Sequence, residues 1–236
     1  MNKNISLVIP CYNEEGNINK LVDRCETFLK ADEAELILVN NGSNDNTKKI
    51  ILECCRLNTK IKLVDIKNNL GFGHGVCEGF KNAKNDILAY THADLQTDPS
   101  DVLKGVELYN DEQDFIKGIR VEKIKNEWSL FDIFISYSMT IFTSLMMRAV
   151  MNDIHAQPVI FNKKLLKNLH FFPNDFMLDV WLYYKAKKNN YNIKRFPVIF
   201  NKNMRFYGVG NNDTFVKSLI GSLDHVVGTF RLLFKL

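Results

Sequence analysis

Short apolar runs alternating with segments of helical period confine the first half of this chain to one class of fold. Ile5–Pro10 (ISLVIP), Glu35–Val39 (ELILV), Ile61–Ile66, Ile87–Tyr90 (ILAY) and a run near Asp114–Ile119 have the length and near-continuous hydrophobicity of strands buried on both faces. Between them, apolar residues recur at helical spacing. Ile18, Leu21, Val22, Cys25, Phe28 and Leu29 do so after the first run; Ile50, Ile51, Cys54 and Leu57, read as facing inward, do so after the second. Further helices are expected to end at about Ala83 and to run from Pro99 to about Tyr109. This alternation requires right-handed crossovers and an α/β architecture, a mostly parallel sheet with helices on both faces. At 236 residues and 46% hydrophobic content, the chain is large enough to fill that core.

In such a sheet the loops after the strands open on one edge, and ligands bind there. That edge collects Pro10-Cys11-Tyr12-Asn13-Glu14, Asn40-Asn41-Gly42-Ser43, Asn68-Asn69-Leu70-Gly71 and His92-Ala93-Asp94. Residues of these types suit a polar ligand pocket, and they equally suit turns. The fourth run is the most telling. In ILAYTHADLQTDP the strand breaks at Thr91–Asp94 and a helix starts at once, with Asp98 at the N-cap, Pro99 first in the helix and Asp101 in its first turn. Asp94, with His92 two residues earlier, suits a divalent cation held against a substrate phosphate, because magnesium and manganese usually share one or two carboxylates with phosphate oxygens. The alternative is a turn aspartate and a half-buried histidine.

Several classes fall away. The glycine cluster Gly71–Gly79 lacks the G-x-G-x-x-G spacing, since Val76 or Glu78 stands where the third glycine belongs, and it follows the third strand. Dinucleotide-dependent hydride transfer is therefore a poor fit, although glycines opening a helix still admit an anion to backbone N–H groups. A net charge of +4 fits an anionic ligand or membrane surface and is too dispersed for nucleic acid. The five cysteines, Cys11, Cys25, Cys54, Cys55 and Cys77, are odd in number and without C-x-x-C spacing, which points to buried thiols in the cytoplasm. A strand starting at once leaves no room for a signal peptide. Trp128–Val150 is the most apolar stretch, but the uncharged run between Asp132 and Arg148 falls short of the roughly 18–20 residues a span needs, so one or two interfacial or core helices are expected. Short strands are expected at Val159–Phe161 and Ile193–Phe200. Thr214–Leu236 places Phe215, Leu219, Leu223, Val226, Val227, Phe230, Leu233 and Phe234 on one helical face, with Lys217, Arg231 and Lys235 elsewhere. Such a helix suits a membrane interface, and also packing on the domain or on a second subunit.

Four ordered motifs, Ser6-Leu7-Val8-Ile9-Pro10-Cys11-Tyr12-Asn13-Glu14-Glu15, Asn40-Asn41-Gly42-Ser43-Asn44-Asp45-Asn46-Thr47, Asn69-Leu70-Gly71 with Gly79 and Ala83, and His92-Ala93-Asp94-Leu95-Gln96-Thr97-Asp98-Pro99, resemble family 2 glycosyltransferases of the GT-A fold, in the dolichyl-phosphate-mannose-synthase-like branch. The resemblance runs from about Asn4 to Gly210. It implies a nucleotide-sugar donor, a divalent cation (Mn2+ or Mg2+) and inversion at the anomeric carbon. It also implies a transferase domain over 1–212, with a nucleotide-binding half (1–120) and an acceptor half (121–212), followed by an amphipathic helical tail over 213–236. By position, Pro10, Tyr12 and Glu14 would border the base and ribose. Asn41 would contact the nucleotide, with Ser43, Asn69 and Gly71 lining the donor site. Asp94, with His92, would hold the metal, and Gln96 the neighbouring phosphate or the acceptor. Asp179 would serve as general base to a hydroxyl acceptor, or position a phosphate acceptor. Arg205, ahead of Gly208 and Gly210, would meet the diphosphate or an acceptor phosphate.

Two departures stand out. The family's D-D-G-S is Asn40-Asn41-Gly42-Ser43 here, and its D-x-D is His92-x-Asp94. Asparagine offers a donor and an acceptor without charge; a neutral imidazole suits manganese better than magnesium. By residue type alone, Asp179 also reads as an exposed helix acid near Lys185, and Arg205 as a surface charge. The expected function is an inverting glycosyltransferase of cell-surface glycan biosynthesis, peripheral at the cytoplasmic face of the cell membrane, with a polyprenyl-phosphate or lipid-linked saccharide acceptor and no nucleic acid partner. The alternatives are transfer to a hydroxyl of a surface polysaccharide, or a catalytically silent nucleotide-sugar-binding scaffold. A homo-oligomer is compatible with each.

Overall fold

A computed structural model describes residues 3–121, 130–167, 169–201 and 215–235. Among them seven strands form one sheet: β1 (Ile5–Cys11), β2 (Ala34–Asn41), β3 (Ile61–Ile66), β4 (Ile87–Tyr90), β5 (Asp114–Val121), β6 (Val159–Asn162) and β7 (Asn192–Ile199), in the order β3-β2-β1-β4-β6-β5-β7. β1 pairs in parallel with β2 and β4, and β2 with β3. β6 is antiparallel to both β4 and β5, and β7 is parallel to β5. The reversal at β6 matters for function. Val159, its first residue, lies opposite Tyr90, the last of β4. The loop entering β6 therefore arrives at the edge where β4 ends.

Period-two alternation divides the core. Leu36 and Leu38 face one apolar layer, with α1 (Ile18–Arg24), α2 (Glu26–Leu29), α3 (Thr47–Leu57) and α5 (Val102–Leu108). Ile37 and Val39 face the other, with α4 (Phe72–Lys81) and α7 (Met177–Lys188). Two long helices, α6 (Leu130–Met146) and α8 (Phe215–Leu233), pack against each other, and α8 also meets α7. No described helix is long and apolar enough to cross a membrane. All five cysteines are free, three of them buried.

The elements differ from the sequence reading in four places. The helix expected over 18–29 divides at Cys25, whose N–H is shared between the Leu21 and Val22 carbonyls. The helix expected from Pro99 opens as a 3-10 turn, Pro99–Asp101, capped by Asp98, which accepts from the Ser100 N–H at 2.9 Å. Leu57 is 89% exposed, because the chain leaves α3 at Asn58 with nothing packed over its last residue. In α8 the side buried on the domain carries Gly228, Thr229 and Leu232, so Leu223, Val227, Phe230 and Phe234 point outward. A Cβ at Gly228 would sit 2.6 Å from Met177 Cγ, so small residues set that close approach. The Phe215 and Leu219 side chains lie outside the described set.

Candidate functional site

Asparagine side chains stitch the first three loops into one polar rim. The first loop joins the second through Asn13 N–H to Ser43 Oγ (3.0 Å), Asn44 N–H to Asn13 Oδ1 (2.9 Å) and Glu14 N–H to Thr47 Oγ1 (2.8 Å). Asn40 Nδ2 donates to Asp65 Oδ1 at 2.8 Å. Asn41 Nδ2 donates to Asn69 Oδ1 (3.3 Å) and the Gly71 carbonyl (3.1 Å), and Gly71 N–H returns to Asn69 Oδ1 (2.8 Å). The two asparagines thereby acquire a reason. A carboxylate at 41 has no proton for the Gly71 carbonyl, and one at 40 would face Asp65. Pro10 packs beneath, since a Cβ at Gly75 would lie 3.0 Å from its Cβ and 3.1 Å from Asn41 Nδ2. Tyr12 stands exposed at the lip.

The glycines permit a close backbone contact that their spacing did not suggest. Gly71 has φ +114°, and a Cβ there would fall 2.3 Å from the Asn174 carbonyl oxygen; one at Gly73 would fall 2.2 Å from that of Pro173. His74 N–H donates to the Asn174 carbonyl at 3.0 Å, and Gly75 N–H to that of Gly71 at 3.2 Å. The loop is thus locked backbone-to-backbone onto the segment entering α7. Gly71→Ala should cost about 1–3 kcal/mol from the backbone conformation alone, and more from the carbonyl clash, read as a lowered urea midpoint at unchanged slope.

At the end of β4 the His92 ring lies 4.9 Å from Phe72 and 6.0 Å from Phe176, which stack on each other at 4.8 Å. Leu95, at φ +61°, turns the backbone so that Asp94 Oδ1 accepts from Gln96 N–H at 3.1 Å. The Gln96 carbonyl accepts from Asn201 N–H (2.9 Å), and Thr97 bridges Phe200. Among the described residues no group of three or more His, Cys, Asp or Glu is placed to hold a metal. Two such side chains do not make an all-protein cage, so a cation held by Asp94 and His92 would need phosphate oxygens or water to complete its shell. Arg205, Gly208 and Gly210 lie outside the described residues.

Asp179 is neither exposed nor paired with Lys185, whose Nζ lies 4.1 Å over the Trp181 ring. Its side chain has no exposed surface. Tyr90 Oη donates to its Oδ1 at 2.6 Å, the His155 ring nitrogen Nδ1 lies 3.1 Å from Oδ2, and Gln157 Nε2 lies 3.3 Å from Oδ1. Burial pushes this carboxyl up, but His155, the charge of Lys117 and the Tyr90 hydroxyl together outweigh it and hold it down at about 2. Lys117 is itself fully buried, donating to the Ala156 carbonyl, and burial lowers it to about 8 against the pull of Asp179. By resemblance the segment 153–158, with His155 and Gln157, matches an acceptor-side loop of the family, but the sequence reading gave no individual role to Tyr90, Lys117, His155 or Gln157. A lysine inside the apolar run DFIKGI was the available signal, because a buried cation requires a partner.

The chain of contacts continues outward. His155 Nε2 meets His225 Nδ1 at 3.2 Å, and His225 Nε2 meets Thr143 Oγ1 at 2.7 Å, tying α8 and α6 to the Asp179 cluster. Burial, then the neighbouring His155, lowers His225 to about 3. The unfolded chain, with histidine near 6.5, takes up this proton first, so stability falls as pH drops from about 6.5 towards 3, by up to about 1.4 kcal/mol per pH unit. Denaturation curves at pH 7, 5 and 4 should show this loss, and His225→Asn should remove its share.

The mostly parallel seven-stranded sheet with helices on both faces is an α/β fold of GT-A type, the architecture of glycosyltransferases. The chain belongs to glycosyl transferase family 2, whose model matches residues 6–169. Over 129 residues it is 30% identical to an undecaprenyl-phosphate 4-deoxy-4-formamido-L-arabinose transferase of Edwardsiella ictaluri, covering 52% of this chain and 39% of that one. An uncharacterised glycosyltransferase of Synechocystis is 31% identical over 126 residues, covering 52% and 40%. These matches span about 40% of the relatives' length. Among solved structures, a mannosyltransferase of Pyrobaculum calidifontis in complex with GDP-mannose and Mn2+ superposes with TM-score 0.69 at 17% identity, over 100% of this chain and 65% of that one. A glucosyl-3-phosphoglycerate synthase of Mycobacterium tuberculosis superposes with TM-score 0.67 at 14% identity, over 96% and 80%.

Proposed function

We propose that this chain is an inverting glycosyltransferase that moves a sugar from a nucleotide-sugar donor to a polyprenyl phosphate or lipid-linked saccharide, at the cytoplasmic face of a membrane and in the making of cell-surface glycans. The observation that carries the reading is Asp94 at the end of β4, on the sheet edge that bears the Asn41–Asn69–Gly71 rim. In this reading Pro10, Tyr12 and Glu14 border the base and ribose, while Asn41, Ser43, Asn69 and Gly71 keep the rim in shape. Asp94 and His92 hold a divalent cation, and Gln96 meets the adjoining phosphate. When bound, that ion supplies Lewis-acid neutralisation of the departing diphosphate. Arg205 adds a second positive charge through its planar fork.

Asp179 bears on the acceptor. A hydroxyl acceptor needs a base whose pKa lies near the operating pH. A carboxyl held at about 2 with no exposed surface is a poor one. A phosphate acceptor arrives already anionic and needs none. This favours the lipid phosphate, and leaves Asp179 orienting Tyr90 and His155. The undecaprenyl-phosphate transferases that match half of the chain support the same acceptor class.

The test is a thermal-shift screen of GDP-, UDP-, CDP- and dTDP-sugars with and without Mn2+, followed by turnover of the donor that binds. Ligand at a hundred times its Kd stabilises by about 2.7 kcal/mol. Nucleotide release that depends on added prenyl phosphate is expected. Release that depends only on a saccharide hydroxyl would move the assignment to the polysaccharide reading, and binding without turnover on any acceptor would make the chain a scaffold.

A further inference from the structure

α6 and α8 turn apolar stripes to the outside at matching spacing. On α6 these are Leu130, Phe134, Tyr137, Ile141 and Leu145; on α8 they are Ile220, Leu223, Val227, Phe230 and Phe234, with exposures between 42% and 89%. The two helices touch at Phe230, whose ring lies 6.1 Å from that of Phe142 on α6. Two α6 hydroxyls are satisfied within the helix. Thr140 Oγ1 donates to the Ser136 carbonyl at 2.9 Å, and Ser144 Oγ to that of Thr140 at 2.7 Å. At Leu145 the α6 stripe runs into a recess of about 720 Å³, where Leu233 and Tyr184 meet Arg148, Lys187 and Lys188, and no acidic residue lines it among the described residues. Arg231 and Lys235 lie exposed on and just beyond the last turn of α8; against these five cations, the sequences of α6 and α8 carry two carboxylates, Asp132 and Asp224.

We infer that the α6–α8 face docks on an anionic phospholipid bilayer, its stripes entering the acyl boundary and the Arg148–Lys187–Lys188 recess receiving a lipid phosphate. Charge decides the occupant. Apolar and aromatic residues flanked by cations match an anionic interface, whereas a second copy packed isologously on this face would bring its own cations against them. The inference rests on the lipid-linked acceptor reading for its purpose, but not for its test.

The full chain is sedimented with vesicles of phosphatidylcholine alone or containing one quarter phosphatidylglycerol. Binding to the anionic vesicles is expected, weakening as salt rises. Arg148→Ala/Lys187→Ala/Lys188→Ala should weaken it about 150-fold, at roughly fivefold per cation. Phe134→Ser/Ile141→Ser should reduce binding to both vesicle types with no change in Tm, since both side chains are already exposed. The inference is overturned if the wild-type chain ignores anionic vesicles, if both variants bind as it does, or if the apolar substitutions dissociate a solution dimer that does not bind vesicles. Donor binding with no vesicle binding would sink this inference and leave the transferase reading standing; vesicle binding with no donor binding would do the reverse.

Discussion

Replacing Asp94 with alanine is expected to abolish measurable Mn2+ binding and to slow sugar transfer by about 10³-fold. A cation at a departing diphosphate is worth several kcal/mol of charge stabilisation, and each 1.36 kcal/mol is tenfold in rate. Among the described residues no cluster of three or more such ligands is present to hold the ion elsewhere. Asp94→Asn separates charge from shape. Its amide oxygen still accepts the Gln96 N–H, so the turn at Leu95 is kept. Titration of Mn2+ followed by electron paramagnetic resonance, with and without the donor nucleotide, reads the loss without any turnover. An Asp94→Asn chain that held Mn2+ and transferred sugar at the wild-type rate would remove Asp94 from the site.

Asp179→Ala should be the most destabilising of the substitutions considered, by about 3–5 kcal/mol, the range found when one partner of a buried charge pair is removed. It strands the Lys117 charge in a fully buried place and leaves Tyr90 Oη and His155 without their acceptor. Equilibrium denaturation in urea reads this as a lowered midpoint at unchanged slope. Lys117→Met in the same background should recover part of the loss, because the stranded charge is then gone; a strictly additive double mutant would refute the coupling. The pH dependence has a definite sign. A carboxyl lowered to about 2 from an unfolded value near 3.9 stabilises the fold above pH 3.9, and that contribution fades as pH falls through 2.

By itself the sequence determined the layered α/β core and the sheet edge on which the polar loops gather. Buried parallel strands announce themselves as apolar runs such as ILAY, and the residues that stop each run fall on one side of the sheet for topological reasons alone. Asp98 and Pro99 marked the turn after β4 because capping is local chemistry. What the tertiary structure decided are the pairings between distant segments. Asn41 needed Gly71 and Asn69 beside it before its departure from aspartate made sense. Gly71 and Gly73 needed the 173–175 backbone before their role was visible, since their spacing records only that a side chain is absent. Asp179 went from a helix acid of open function to the centre of a buried cluster because β6 runs antiparallel and delivers His155 and Gln157 to the end of β4. On α8, helical period found an apolar face but not which part of it the domain covers; Gly228 against Met177 settles that, because a helix rotates to bring its smallest residues to the closest contact. Periodicity is a property of one segment, whereas a partner across the sheet is a property of the folded chain.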